Sequence, residues 1–244
     1  MSLNDYKVAV VTGASSGIGA AVARDLGRRG LKVHAVARRE ERLADLEGCT
    51  THVLDVRDTN ALTGLLESIK VDILVNNAGV GRGFGSIAGA DPDDIDCTLD
   101  TNVRSVVHAV RSVLPGMISK GAGHIVNIGS MAGIYPLSAA LYGASKGALH
   151  VLSMDLRLEL QGTGIRVTEI CPGRVQTEFY DRAFDSPEEI QQMKNSGINE
   201  LTSQDVAASV MHALDAPWHV NVNRIEIQPT EQIYGGSVFT PRKL

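Results

Sequence analysis

Seven short apolar runs rich in β-branched residues punctuate the chain: Val8 to Val11, Val33 to Ala37, Thr51 to Leu54, Asp72 to Val75, His124 to Ile128, Arg166 to Ile170 and Arg224 to Ile227. Runs so short and so nearly continuous suit strands buried on both faces of a parallel sheet. Between them the period lengthens to that of a helix. Gly17 to Arg29 carries apolar residues at helical spacing and stops at Gly30, a residue that tolerates the left-handed turn beyond a helix end. Asp91-Pro92-Asp93-Asp94 combines an N-cap, a proline at the first helical position and an acidic first turn. That predicts a helix running towards Ser119, with Pro115 as its candidate bend. A second long helix is expected from Ala139 to Leu160, closed by Gly162 and Gly164. Strand and helix alternate throughout, which predicts an α/β fold of the doubly wound kind. No linker rich in Pro, Gly or Ser divides it, so one domain over residues 1–244 is expected. The polar stretch 178–203 reads as a small helical insertion that forms a substrate lid.

Composition removes several alternatives. Of 244 residues, 43% are hydrophobic and 21% charged, ordinary for a globular chain, so disorder is excluded as the main state. The formal net charge of −5 disfavours nucleic acid as a partner. Cys49, Cys97 and Cys171 stand apart and odd in number, with no Cys-x-x-Cys spacing, so neither a disulfide framework nor a metal site is expected. Met1 to Lys7 holds no apolar signal core, and no window approaches about 18 consecutive apolar residues. A cytoplasmic protein without a membrane span is the expectation.

Thr12-Gly13-Ala14-Ser15-Ser16-Gly17-Ile18-Gly19 follows the first run and opens the first helix. Glycines let the backbone turn sharply and approach a phosphate, while the helix N-terminus offers free N–H groups and a partial positive charge. The spacing is G-x-x-x-G-x-G, and its place at the start of a βαβ unit points to a dinucleotide. Gly13 to Gly17 also satisfies the G-x-S-x-G nucleophile elbow of hydrolases. That elbow follows several strands, whereas a single strand precedes this turn. The second run ends at Val36-Ala37-Arg38-Arg39. Ala37 stands where an NAD-preferring fold carries an acid for the ribose 2′-hydroxyl. Arg38 and Arg39 suit the 2′-phosphate of NADP instead. A preference of tenfold or more for NADP(H), about 1.4 kcal/mol, is expected. Asp55 and Val56, after the third run, are expected beside the adenine.

Tyr142-Gly-Ala-Ser-Lys146 places a phenol and an ammonium on one helical face. A nearby cation favours phenolate, so the tyrosine is expected to titrate below its ordinary value and to serve as a general acid/base. Ser130 ends the strand before this helix, where open α/β sheets bind ligands.

With these residues in view the chain resembles the short-chain dehydrogenase/reductase family. Thr12 to Gly19 matches its TGxxxGxG turn, Asn76-Asn77-Ala78-Gly79 its NNAG motif, and Pro172-Gly173-Arg174-Val175-Gln176-Thr177 its PGxVxT loop beside the nicotinamide. Ser130, Tyr142 and Lys146 match its catalytic serine, tyrosine and lysine, and Asn102 its proton-relay asparagine. One residue fewer separates Ser130 from Tyr142 than in the usual family spacing, which shortens the loop 131–141. The resemblance implies a Rossmann-like domain with a seven-stranded parallel sheet. It implies NADP(H) held by Gly13, Ser15, Ser16, Gly17, Ile18, Gly19, Arg38, Arg39, Asp55, Val56, Asn77, Ala78, Gly79, Tyr142, Lys146, Pro172, Gly173, Val175 and Thr177. The implied reaction is hydride transfer between NADP(H) and a carbonyl or secondary alcohol. Tyr142 protonates the developing alkoxide and Ser130 orients it. Lys146 lowers the tyrosine pKa and holds the ribose, and Asn102 binds a water linking Lys146 to solvent. Family members pair through two long helices, here near 91–119 and 139–161, so a homotetramer is implied.

The tail 221–232 resembles a branch containing NADP-dependent 3-hydroxy acid dehydrogenases acting on serine-like substrates, and clavulanic acid dehydrogenases. A small 3-hydroxy acid carries a carboxylate, for which Arg82, Arg174 and Arg182 are candidate receivers. Tyr135, Leu137, Phe179 and Tyr180 are candidate pocket walls. The seven histidines show no metal-ligand spacing and read as structural, and Trp218 is expected to pack near the last strand. Rival readings are a 3-oxoacyl thioester reductase of the same family and a catalytically silent NADPH sensor; the latter would not need both Tyr142 and Lys146.

Overall fold

A computed structural model of the chain describes residues 3–137 and 139–233. Its strands are β1 (Val8–Thr12), β2 (Lys32–Ala37), β3 (Thr50–Val53), β4 (Ile73–Asn76), β5 (Gly123–Ile128), β6 (Ile165–Pro172) and β7 (Arg224–Ile227). They form one sheet in the order β3-β2-β1-β4-β5-β6-β7, with every neighbouring pair parallel. The helices are α1 (Gly17–Arg28), α2 (Glu40–Leu43), α3 (Thr59–Glu67), α4 (Pro92–Leu99), α5 (Ser105–Lys120), α6 (Ala140–Glu159), α7 (Tyr180–Ala183), α8 (Pro187–Lys194) and α9 (Ser203–Asp215). This is the doubly wound α/β domain that the alternating pattern predicts.

The expectation of burial on both faces holds for the central strands and fails at the sheet edges. β4 and β5 are buried at every position, whereas β7 alternates exposed and half-buried residues and β3 leaves Thr50, Thr51 and Val53 exposed. An edge strand has a neighbour on one side only, so its apolar demand is smaller. Two apolar layers cover the sheet. One joins α1 and α9 through Leu26, Val206, Val210 and Leu214. The other joins α3, α5 and α6 through Leu62, Val110, Met117 and Leu149. Each fully buried Leu or Val contributes about 1.5–3 kcal/mol.

Polar ties hold the lower edge. Asp72, ahead of β4, accepts from the N–H groups of Lys7 at 2.7 Å and Val8 at 2.9 Å and pairs with Lys120. Arg166 of β6 donates to the carbonyls of Ala216 at 2.8 Å and Leu214 at 3.3 Å, tying the sheet to the end of α9.

Helix α4 begins as predicted: Asp91 accepts from the Asp93 N–H at 2.8 Å, and Pro92 follows. The departure from regular α geometry lies at Asp100–Arg104, a π turn between α4 and α5, ahead of Pro115. Such turns insert a residue into the helix and re-aim a side chain; here that side chain is Asn102. The crossover at β1 and β4 leaves a crevice at the carboxyl ends of the strands, where ligands bind in open α/β sheets.

Candidate active site

The crevice floor is built by two turns stapled together. Thr12 Oγ1 donates to the Val75 carbonyl at 3.3 Å and accepts from the N–H groups of Asn77 and Ala78, each at 3.1 Å. Asn77 returns its amide to the carbonyls of Thr12 at 2.9 Å and Gly13 at 3.2 Å. This closeness explains the glycines. Gly13 has φ +66, and a Cβ there would lie 2.8 Å from Ala78 Cα. A Cβ on Gly19 would lie 2.4 Å from Asn77 Nδ2 and 2.5 Å from the Gly13 oxygen. Helix α1 opens on the crevice with no side-chain cap and no acidic residue in its first turn, so its N–H groups and positive end face the cleft. Asn76 takes another path: its amide donates to Asn127 Oδ1 at 2.8 Å, and Asn127 donates to Ser153 at 2.9 Å, joining β4, β5 and α6.

At one end of the cleft lie Ala37, Arg38, Arg39, Asp55 and Val56. The Arg39 guanidinium donates to Ser16 Oγ at 2.7 Å, to Ser15 Oγ at 3.2 and 3.3 Å, and to Glu178 at 2.8 Å. Arg38 stands 3.7 Å from Asp55. Burial alone would raise the Asp55 carboxyl, but hydrogen bonds from Arg57 override it and hold it below its ordinary value.

At the other end stand Ser130, Tyr142 and Lys146. Ser130 caps the single turn Met131–Gly133, accepting from the Ala132 N–H at 3.1 Å. Tyr142 and Lys146 share a face of α6, with the ammonium 6.0 Å from the ring centroid. Lys146 is 5% exposed, donates to the Ile128 carbonyl at 2.8 Å, and is pulled by burial down to about 8. The expected lowering of the phenol is not found. Burial pushes Tyr142 up to about 12 against the hydrogen bond with Ser130. The ring lies under Phe179 and Phe84, at 5.3 and 5.7 Å between centroids, and the ammonium turns its hydrogen bond to the backbone. Desolvation therefore outweighs the lowering by the Ser130 hydrogen bond, and Tyr180 adds to the rise.

Asn102 and Gly19 stand behind the wall rather than on it; the other predicted site residues line one continuous cleft. Asn102 accepts from the Val80 N–H at 2.9 Å and donates to the Val80 carbonyl at 2.8 Å and to Ser145 at 2.9 Å. It still borders the site, since a Cβ on Gly79 would meet Asn102 Oδ1 at 3.4 Å and Lys146 Nζ at 3.5 Å.

The segment 178–203 carries α7 and α8 and contributes Phe179, Tyr180, Arg182 and Met193 to the cleft. Its far end is fastened by a parallel bridge between Val175 and Leu201. Arg174 is buried, pairs with Glu200 at 2.7 Å, donates to the Met193 carbonyl and lies 4.9 Å from the Tyr180 ring centroid. Of the three candidate arginines, Arg174 and Arg182 line the cleft and Arg82 does not. Arg82 is held by Asp94 and Asp185, each at 2.7 Å. Tyr135 and Leu137 line the cleft as expected. Trp218 does not pack: it is 63% exposed, because it falls in the turn after α9 rather than under a strand. Four histidines pair within the fold, His34 with His52 at 2.9 Å, His124 with Thr168 at 2.8 Å and His150 with Glu169 at 2.7 Å. No group of three or more metal-ligating residues occurs among the described residues.

Several lining residues carry no direct signal in the sequence reading: Val80, Phe84, Thr101 and Gln232. Phe84 lies in a glycine-rich stretch, Gly81 to Gly85, whose openness was the available signal. Gln232 reaches back from the tail to accept from the Arg174 N–H at 2.8 Å, a contact no local spacing encodes.

The family model described as short chain dehydrogenase matches residues 7–188. An uncharacterized short-chain type dehydrogenase/reductase of Sinorhizobium fredii is 40% identical over 240 residues, covering 96% of each chain. The NADP-dependent 3-hydroxy acid dehydrogenase YdfG of Escherichia coli K12 is 38% identical, covering 94% of this chain and 97% of that protein. A solved structure, the closed form of a serine dehydrogenase complexed with NADP+, superimposes with a TM-score of 0.89 at 37% identity, covering 97% of this chain and 100% of that one. Matched over most of its length, with the stapled glycine turn and the Ser130, Tyr142 and Lys146 cluster in one cleft, the chain belongs to the short chain dehydrogenase family.

Proposed function

We propose that this chain is an NADP(H)-dependent oxidoreductase that interconverts a small 3-hydroxy acid and its 3-oxo form. The observation that carries the reading is one continuous cleft with Arg38 and Arg39 at one end and Ser130, Tyr142 and Lys146 at the other. The residues fit the cofactor. Positive-φ glycines at 13 and 17, the uncapped start of α1 and the two serines beside Arg39 suit a pyrophosphate and a 2′-phosphate. Ala37 leaves the acid position empty of charge. Relatives named as NADP-dependent 3-hydroxy acid dehydrogenase and as serine dehydrogenase with NADP+ support the same reading.

The chemistry that NADPH would supply when bound in this cleft is a hydride for the carbonyl carbon. Ser130 Oγ donates a hydrogen bond that orients the carbonyl oxygen. The Tyr142 phenol gives that oxygen its proton; a phenol pushed up to about 12 stays protonated at neutral pH and is ready as an acid. Lys146 holds a positive charge beneath the ring and limits the rise in charge when phenolate forms. Asn102, on its π turn, fixes Ser145 and the backbone at Val80, and its place behind Gly79 and near Lys146 supports a role in returning a proton to Lys146. Arg174, which lines the cleft, is the candidate receiver of a substrate carboxylate, while Arg182 lies with Glu178 at the Arg39 end. The segment 178–203 serves as the substrate lid. Exposed Val107 and Ile118 on α5 and Val151, Met154 and Leu158 on α6 support a homotetramer paired through these helices. Three free cysteines support a cytoplasmic location.

The test is NADP+ reduction, followed by absorbance, over serine, allo-threonine and 3-hydroxyisobutyrate set against simple secondary alcohols, sugars and hydroxyacyl thioesters. The expected result is turnover on the 3-hydroxy acids with NADP+ favoured over NAD+ at least tenfold. Turnover confined to the other compounds overturns the substrate class, and equal use of NAD+ overturns the cofactor.

A further inference from the structure

Three arginines converge on one carboxylate at the mouth of the cofactor cleft. Glu178 Oε2 lies 2.8 Å from Arg39 and 3.9 Å from Arg182, and Oε1 lies 3.4 Å from Arg42. Arg38 stands beside them with Asp55. With Arg57 also paired to Asp55, five guanidinium groups face two carboxylates, leaving a net positive field. The carboxylate is ionised, since the Arg39 hydrogen bond holds it below its ordinary value. The donors of Arg39 are already shared: Nη1 serves Glu178, while Nη2 and Nε serve Ser16 and Ser15. Glu178 and its arginines are partly exposed, so solvent screens their contribution to fold stability. Fold stability is therefore a weak reason for placing a carboxylate here.

We propose that Glu178 is an internal rival of the cofactor's 2′-phosphate. Its carboxylate occupies the place among Arg39, Arg42 and Arg182 where a phosphomonoester would pair, and so limits how tightly a 2′-phosphorylated dinucleotide is held. The inference rests on the NADP(H) reading above and adds a residue that tunes it. A phosphate carrying about −1.5 to −2 charge that engages Arg39 must either draw Arg39 away from Glu178 or accept a neighbouring like charge. Both weaken binding, and both speed release of the spent cofactor. A dinucleotide without the 2′-phosphate meets neither penalty. Because Glu178 directly follows Thr177 and begins the segment 178–203, the exchange of partners also loosens the near end of that segment.

Glu178→Gln tests this with little change in shape, because the amide oxygen still accepts from Arg39. Calorimetric titrations compare NADP+, NAD+ and adenosine 2′-monophosphate, the smallest probe carrying the relevant phosphate. Glu188→Gln removes the same charge from an exposed position on the same segment. The expected result is NADP+ and adenosine 2′-monophosphate binding at least fivefold tighter in E178Q, with slower NADP+ dissociation in stopped flow. NAD+ should stay within twofold, and E188Q should match the parent. Unchanged or weaker NADP+ binding in E178Q overturns the proposal, as does equal tightening of NAD+. If the parent protein itself binds NADP+ no better than NAD+, the cofactor reading falls and this inference falls with it.

Discussion

Lys146 brings an ammonium into a site that leaves it 5% exposed, with a hydrogen bond to the Ile128 carbonyl. Burial pulls it from 10.5 down to about 8. The folded chain therefore releases this proton near pH 8, while the unfolded chain keeps it to about 10.5. Between those values the unfolded state binds more protons, so stability rises with pH. Below pH 8 both states are charged and the full penalty is present. At about 1.4 kcal/mol per unit, the difference between 10.5 and 8 amounts to about 3 kcal/mol. Lys146→Met removes the charge and keeps most of the side-chain length. Urea unfolding of parent and variant at one protomer concentration, from about pH 7.5 to 10.5, reads the effect. The stability of the variant relative to the parent is expected to fall by about 3 kcal/mol across that range. Tyr142, pushed up to about 12 in the fold, stays protonated across that range, and its unfolded-state titration is common to both proteins. Parallel profiles, with a gap constant to about 1 kcal/mol, would refute the buried-charge account of this lysine.

Three further outcomes follow from packing and charge. Gly19→Ala drives a methyl to 2.4 Å from Asn77 Nδ2 and breaks the staple between the two turns; NADP+ titration is expected to show at least tenfold weaker binding, about 1.4 kcal/mol. Gly129→Ala meets the buried Glu169 Oε1 at 2.4 Å; overpacking of this kind costs about 1–3 kcal/mol, measurable as a lower denaturation midpoint. Asp72→Asn leaves N–H groups of Lys7 and Val8 with a poorer acceptor and Lys120 without its charge partner. Burial alone would raise the Asp72 carboxyl, yet Lys120 and the two N–H groups hold it below its ordinary value. Its contribution is then present above the ordinary carboxylate range and lost as pH falls through the folded value. The variant is expected to be less stable by about 1–3 kcal/mol at pH 7, and the difference should shrink in acid.

What the chain announces in advance is chemistry tied to local order. Gly13, Gly17 and Gly19 are legible because a turn between a strand and a helix allows few residue types at those places. Ser130, Tyr142 and Lys146 are legible because an i, i+4 pair on a helix must share a face. The exposure of β3 and β7 was not legible, since edge position is set by sheet order and not by the run itself. Nor was the π turn at Asp100–Arg104, whose residues look helical one by one. The phenol of Tyr142 was misjudged because its pKa depends on the rings of Phe84 and Phe179, which arrive from elements about 58 and 37 residues away. Arg82 reads in the sequence as a candidate receiver of a substrate carboxylate and is claimed by Asp94 and by Asp185, the latter 103 positions on. Spacing reports neighbours along an element; it does not report what a loop brings across the cleft.

The most direct test of the account is a paired measurement on Tyr142→Phe and the parent protein: initial rates of NADP+ reduction on 3-hydroxy acids, with NADP+ binding measured on the same samples. Removing the phenolic oxygen leaves the ring packed against Phe84 and Phe179. NADP+ affinity is expected to stay within about twofold of the parent, with turnover lower by at least about 10²–10⁴, the scale of a lost general acid/base. Turnover retained at the parent level in Tyr142→Phe would contradict it.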